Sequence, residues 1–333
     1  MVLGPVGTGV LTRGKILHRP GRETAILRSQ KSPQALSGFL AESQACRGGV
    51  RLYFAKMPRN TPTLLWLGCL LGLLCLSTPG KGANDDEVAA WELLSRHLPA
   101  DALARLHAPH AGSGREGAFA EAVVIMDSQP VTDARLQGVM QRLADLAQGD
   151  DEIAQASSYL IGRLFQVHFF EPDYVRAAHQ YELLADKHPD GYWAQLGLVK
   201  LALLVVYLLP EPAEPAARIK AAEELLPRVK VPELQRDLHI VIGRAGLFHG
   251  RPVTEVLAHL LAADQIGGLL GIPRADLQLQ IAELSRRAGG FDRAEVYFRR
   301  FIEENDVDTR VYAVRMKLQE MAEQPRAGEA VSP

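Results

Sequence analysis

The spacing of apolar residues after position 84 is the feature that most constrains how this chain folds. From Asp85 onward these residues recur every three or four positions and never alternate over a sustained stretch. That is the period of an amphipathic helix, whereas a half-buried strand has a period of two. Breaks fall where Pro, Gly and Asp cluster, as at 188–191 (HPDG) and 210–215 (PEPAEP). The sequence therefore predicts an all-α fold.

Thirteen helices are predicted, joined mostly by short turns. Their approximate ranges are 85–97, 99–107, 116–128, 131–148, 151–170, 173–188, 191–209, 213–227, 232–249, 252–266, 273–289, 291–304 and 307–322. The apolar run at 201–209 (LALLVVYLL) has nine residues and ends at Pro210. It is too short for a helix that spans a membrane, which needs about 20 apolar residues, and is predicted to be a helix buried on all sides.

Short helices joined by short turns favour a repeat architecture, and the segments share a pattern. One copy contains Gly162 and Phe165, followed by Ala177, Tyr181 and Pro189. It resembles the tetratricopeptide repeat (TPR), whose pattern is W-x2-L-G-x2-Y, then A-x3-F and P. Further copies are marked by Trp193, Leu196 and Gly197, by Ile242 and Gly243, and by Ile281, Ala282, Ala294 and Phe298. The successive small residues Gly162, Gly197, Gly243 and Ala282 are 35, 46 and 39 positions apart, so insertions interrupt a repeat of about 34 residues.

The resemblance implies a TPR-like solenoid of helical hairpins over residues 150–322, preceded by an N-terminal helical cap region at 84–149. Each small residue would let the paired helix approach closely. Large side chains such as Tyr181, Phe298 and Phe301 would fill the space between pairs, since each pair buries its apolar face only against its neighbours. An irregular helical bundle is the alternative interpretation of the same residues. Residues 323–333 are expected to form a disordered tail.

The first 83 residues differ sharply from the rest of the chain in charge. They carry 11 basic and 2 acidic side chains (+9), and the remainder carries 26 and 37 (−11). The 13-residue apolar run at 64–76 follows Met57 and Arg59 and precedes a stretch of small residues, which is typical of a signal peptide over 57–83. Met57 is then expected to be the true start, and residues 1–56 to be upstream sequence translated in error. A transit peptide and a disordered tail are the two alternatives for them.

Cysteine usage also favours export. Cys46, Cys69 and Cys75 are the only three cysteines, and all precede position 84. A mature chain without thiols has no disulfide, no cysteine-based zinc site and no cysteine nucleophile. A periplasmic or secreted protein is therefore expected, with a lipid-anchored form, attached through Cys69 or Cys75, as the alternative.

No motif for catalysis, a cofactor or a metal satisfies its structural requirements. The best metal candidate is His107 with His110 and His97, but a proline interrupts the His-x-x-His spacing and no carboxylate is placed to complete a site. The net negative charge of residues 84–333 also disfavours nucleic-acid binding. We therefore expect no cofactor, no metal and no enzymatic activity, and membrane contact only through the signal segment or a lipid anchor.

The TPR resemblance implies that the protein holds a protein or peptide partner on a concave face, in assembly or maintenance of the cell envelope. An envelope-associated enzyme on a helical scaffold is the alternative function, and a structural part of an envelope assembly is another. In the TPR family the first helix of each pair lines the groove. That geometry implies the partner-binding residues Tyr159, Arg163, Gln166, Leu198, Arg244, Phe248, Arg286 and Arg287. Their arginines favour a ligand with carboxylates, such as an extended acidic peptide or a free C-terminus.

Overall fold

The computed structural model describes residues 85–108 and 114–323. These residues form thirteen α-helices and no strand. The helices are α1 (Asp85–Ser95), α2 (Pro99–Leu106), α3 (Arg115–Asp127), α4 (Asp133–Leu146), α5 (Glu152–Arg163), α6 (Tyr174–Lys187), α7 (Tyr192–Tyr207), α8 (Pro215–Glu223), α9 (Pro232–Phe248), α10 (Val253–Ile266), α11 (Ile272–Arg287), α12 (Phe291–Glu304) and α13 (Val311–Glu323). The all-α prediction is confirmed. The predicted segments 1–56 and 57–83 and nearly all of the predicted tail lie outside the described residues.

Each predicted helix corresponds to an observed one, and the largest differences are at helix ends. The helix predicted over 151–170 ends at Arg163 and continues as a π-helical turn, Leu164–His168. The helix predicted over 213–227 ends at Glu223 and is followed by a 3₁₀ turn, Leu226–Arg228. Capping explains the starts of two helices: Asp151 and Asp173 each accept a hydrogen bond, 2.9 Å long, from a backbone N–H of the first turn of α5 and α6.

The helices pack in the order in which they follow along the chain. Each helix from α1 to α12 contacts the next one, and α1, α3, α5, α7 and α9 also form a series in which each contacts the following member. Two large apolar clusters result, one centred on α5 to α9 and the other on α10 to α13. No helix in the described part of the chain is both long and apolar enough to span a bilayer.

Helix α7 lies at the centre of the first cluster. Its residues Leu201, Ala202, Leu204 and Val206 are at most 3% exposed. Four other helices, α5, α6, α8 and α9, pack around it. The prediction that the apolar run at 201–209 is a buried helix is confirmed for these positions.

Two of the small residues lie where a hairpin brings its helices together. A Cβ atom added at Gly162 would lie 2.4 Å from Cε1 of Tyr181 in α6, and one at Gly243 would lie 2.9 Å from Cδ2 of Leu260 in α10. Ala282 is fully buried in the same cluster as Phe298. The close contact predicted at Gly162 and Gly243 is therefore confirmed.

Gly197 makes a different contact from the one predicted. Its nearest neighbour is also Tyr181, at 3.3 Å from an added Cβ, and this ring belongs to the preceding helix rather than to α8, the second helix of its own pair. The reason is that α8 has only nine residues and begins after the proline-rich segment 208–214. Tyr181 thus fills the space between α5 and α7.

Candidate binding surface

Four of the eight implied partner-binding residues lie in the core. Tyr159, Gln166 and Leu198 are at most 2% exposed, and Arg163 is 9% exposed. The prediction that these side chains contact a partner is wrong for this reason. Helix α5 is contacted by α3, α4, α6 and α7, and α7 likewise has four neighbours, so the face expected to line a groove is covered.

The buried polar residues of α5 and the π turn satisfy one another. The Arg163 Nη1 group and the Tyr181 hydroxyl each donate a 2.8 Å hydrogen bond to Oε1 of Gln166. The Tyr159 ring packs against Tyr181 and Trp193, with centroid separations of 5.9 and 5.4 Å. Because a buried polar group is costly without a partner, this network explains how three polar side chains are accommodated inside the helices.

His168, the last residue of the π turn, is affected by this network. Burial, together with the nearby positive charge of Arg163, lowers the pKa of His168 to about 4. The imidazole is therefore neutral at physiological pH.

The other four implied residues lie at or near the surface. Arg244, Phe248 and Arg287 are exposed, and the Arg286 side chain is about 39% exposed and bound to Glu283 at 3.4 Å. Neither Arg244 nor Arg287 forms a hydrogen bond or ion pair with another residue of the described ranges. These two guanidinium groups therefore have their donors open to solvent or to a ligand.

Phe248 belongs to an exposed aromatic group at the end of α9. Its side chain is 68% exposed, and its ring meets Tyr207 edge-on with a centroid separation of 5.4 Å. His249 packs against Phe248 and donates from Nε2 to the backbone oxygen of Val206 at 2.8 Å, which joins α9 to the end of α7. Arg244 lies one helical turn before Phe248 on the same side of α9. We call Tyr207, Arg244, Phe248 and His249 the aromatic–arginine surface.

Sequence reasoning missed Tyr207 and His249. Tyr207 was assigned to the buried apolar run of α7, and His249 follows directly after the implied binding residue Phe248. The pairing of an aromatic at the end of α7 with one at the end of α9 depends on the packing of these two helices, which no local pattern reports.

A second group that the sequence did not reveal joins α8, α9 and α10. The Nδ1 atoms of His239 and His259 are 3.0 Å apart, and Nε2 of His259 is 3.2 Å from Oε1 of Glu223. A carboxylate only accepts, so His259 donates from Nε2 to Glu223. In the bond between the two Nδ1 atoms, one imidazole donates and the other accepts. Burial and the neighbouring His259 lower the pKa of His239. The imidazole that accepts in this bond is unprotonated at Nδ1.

Two of the carboxylates with a lowered pKa are bound by arginines. Hydrogen bonds from Arg310 lower the pKa of Asp308 to about 2, and a hydrogen bond from Arg274 lowers the pKa of Glu304. His107 is paired with Glu121 at 3.2 Å, and His110 lies outside the described residues. In the part of the chain that the structure describes, no three His, Cys, Asp or Glu side chains are grouped so as to hold a metal ion.

No protein-family model and no curated protein matches the chain. Function is therefore inferred from the residues of the surface themselves.

Proposed function

We propose that this protein is an exported TPR-like scaffold that holds a protein or peptide partner, in assembly or maintenance of the cell envelope. Three features support the TPR-like architecture: helices that pack in chain order, hairpin contacts at Gly162 and Gly243, and a tyrosine that fills the space between α5 and α7. Repeat proteins of this kind bind partners on an extended face, and function follows from the site rather than from the fold.

The aromatic–arginine surface is the observation that carries the proposal. A phenylalanine that is 68% exposed, supported edge-on by Tyr207, presents an apolar area to solvent. Aromatic residues and arginine are the types most enriched at the energetic centres of protein interfaces. The planar guanidinium of Arg244 adds N–H donors that can form two parallel hydrogen bonds to a carboxylate. The partner therefore presents an apolar side chain next to an acidic group.

Export is part of the same proposal. It is supported by the net positive charge of residues 1–83 and by the 13-residue apolar run at 64–76. The mature N-terminus is expected between about positions 79 and 86. N-terminal sequencing of the protein isolated from its own host tests this.

Substitutions in the aromatic–arginine surface should weaken partner capture. We expect Arg244→Glu and Phe248→Ala each to weaken binding at least about tenfold, since truncating a central aromatic or reversing a central charge removes much of an interface's energy. Tagged variants and wild type are purified in parallel from the native host, and captured proteins are quantified by mass spectrometry. Reversal of Arg244 should also flatten the dependence of capture on salt.

Matched controls are available elsewhere on the chain. Phe170 is 88% exposed and Arg293 is exposed on α12, and neither belongs to the surface. Phe170→Ala and Arg293→Glu should capture the same partner as wild type. Capture of one unchanged set of proteins by all four variants would contradict the proposal.

A further inference from the structure

A cavity of about 230 Å³ lies between α6, α7 and the 3₁₀ turn at Leu226–Arg228, apart from the aromatic–arginine surface. Four of its lining residues are apolar and two are cationic: Ala185, Pro189, Leu198, Pro227, Arg228 and Lys230. Its lining contains no acidic side chain. The cavity therefore favours an occupant with an apolar body and a negative charge.

The wall of the cavity is held in place before any ligand binds. Gln195 of α7 is 2% exposed, and its Oε1 accepts hydrogen bonds from the backbone N–H groups of Lys230 and Val231, at 2.7 and 2.9 Å. This fastens the segment that carries both cations against α7. Pro189 and Pro227 restrict the backbone on either side of the cavity. A preformed site of this kind loses little conformational entropy when it binds a ligand.

Both cations have partners that a ligand can replace. Arg228 is bound to Asp186 at 2.8 Å and Lys230 to Asp190 at 2.6 Å. The two aspartate side chains are 72% and 76% exposed, so these pairs contribute little to stability. A ligand carboxylate in the cavity would be partly shielded from water. When it replaces an exposed aspartate, the cation keeps an anionic partner.

We propose that this cavity binds a small apolar carboxylate, with its ring or branched alkyl group against the exposed rings of Pro189 and Pro227 and its carboxylate at Arg228 and Lys230. An apolar cavity of about 150 Å³ in another protein holds benzene, so 230 Å³ admits one ring and a short chain. A free carboxylic acid and the C-terminal residue of a peptide share this chemistry. The peptide source rests on the proposed function, whereas the free acid does not.

Calorimetric titration of the full chain with matched probes tests the chemistry. N-acetyl-phenylalanine is expected to bind, and its amide, which lacks the charge, is expected to bind at least about tenfold more weakly. Two further probes distinguish a free carboxylic acid from the C-terminal residue of a peptide. Binding of 3-phenylpropionate without binding of an acetylated tetrapeptide ending in phenylalanine assigns a free acid, and binding of the tetrapeptide assigns a peptide terminus. Equal binding of acid and amide, or binding of none of these probes, overturns the proposal.

Variants locate the site. Arg228→Gln and Lys230→Gln should each weaken binding of the acid by about tenfold and leave the amide unaffected. Lys187→Gln is the matched control, because Lys187 is exposed and paired with Asp150 but does not line the cavity. Arg244→Glu should not alter probe binding, so failure of the cavity is distinguishable from failure of the partner surface. Unchanged affinity in both Arg228→Gln and Lys230→Gln would overturn the proposal.

Discussion

Replacing Gly162 with alanine is expected to lower the free energy of unfolding by about 2–3 kcal/mol. The added Cβ would lie 2.4, 2.8 and 2.9 Å from three atoms of the Tyr181 ring. That ring is fully buried, and its hydroxyl is bound to Gln166, so it has no free space into which to move. Alanine gains about 1 kcal/mol of helix propensity over glycine, which offsets only part of this overpacking. Denaturant unfolding followed by circular dichroism measures the change.

Gly138→Ala in α4 is the matched control. Gly138 is exposed, and an added Cβ there would meet nothing within 4 Å. This variant should be more stable than wild type by about 0.5–1 kcal/mol, because only the helix propensity changes. Gly243→Ala should fall between the two, since its close neighbour is the flexible end of Leu260. If Gly162→Ala were as stable as Gly138→Ala, the close approach of α5 and α6 would be contradicted.

The protein is expected to lose up to about 3 kcal/mol of stability as the pH falls from about 6.5 to about 4, because of His168. The folded pKa of His168 is about 4, against an ordinary value of 6.5. Between these values the unfolded chain binds a proton that the folded chain does not bind. Stability is therefore complete above the unfolded pKa and decreases as the pH falls toward the folded one.

The contribution of His168 is isolated by comparison with His168→Gln, whose side chain is uncharged at every pH. The free energy of unfolding of wild type minus that of the variant should decrease steadily from pH 7 to pH 4.5, while the effects of carboxylates common to both proteins cancel. The lowered pKa of His239 also reduces the stability of the folded protein as the pH falls. Measuring His239→Gln in parallel gives the contribution of His239 separately. A difference that stays constant over this range would show that His168 is not shielded from water in the folded protein.

The positions of the helices could be predicted from local sequence. Helix α12 was expected over 291–304 and runs over Phe291–Glu304, because apolar spacing and flanking glycines act within a few residues. The roles of Gly162 and Gly243 were also predictable, since glycine inside a helix is unfavourable unless something packs against it. Local patterns carry this information because the backbone hydrogen bonds of a helix join residues four apart.

Which side of each helix faces solvent was not predictable in the same way. Arg163 and Gln166 are polar, and the family geometry placed them on a groove. In the fold they lie in the core because Tyr181, fifteen residues after Gln166, supplies a hydrogen-bond partner from another helix. The buried position of a polar residue depends on that partner and not on its own neighbours in sequence.

Local spacing and steric size are enough to predict the all-α class, the thirteen helices within residues 85–108 and 114–323, and the close contacts at Gly162 and Gly243. Three further features depend on how the helices pack against one another: α5 and α7 are each contacted by four helices, Phe248 meets Tyr207 at the surface, and Arg228 and Lys230 line a cavity. These features join residues of different helices, and the ring contact joins positions 41 apart. They depend on how the hairpins stack, and the burial of apolar area that drives stacking is non-directional and leaves no fixed period in the sequence.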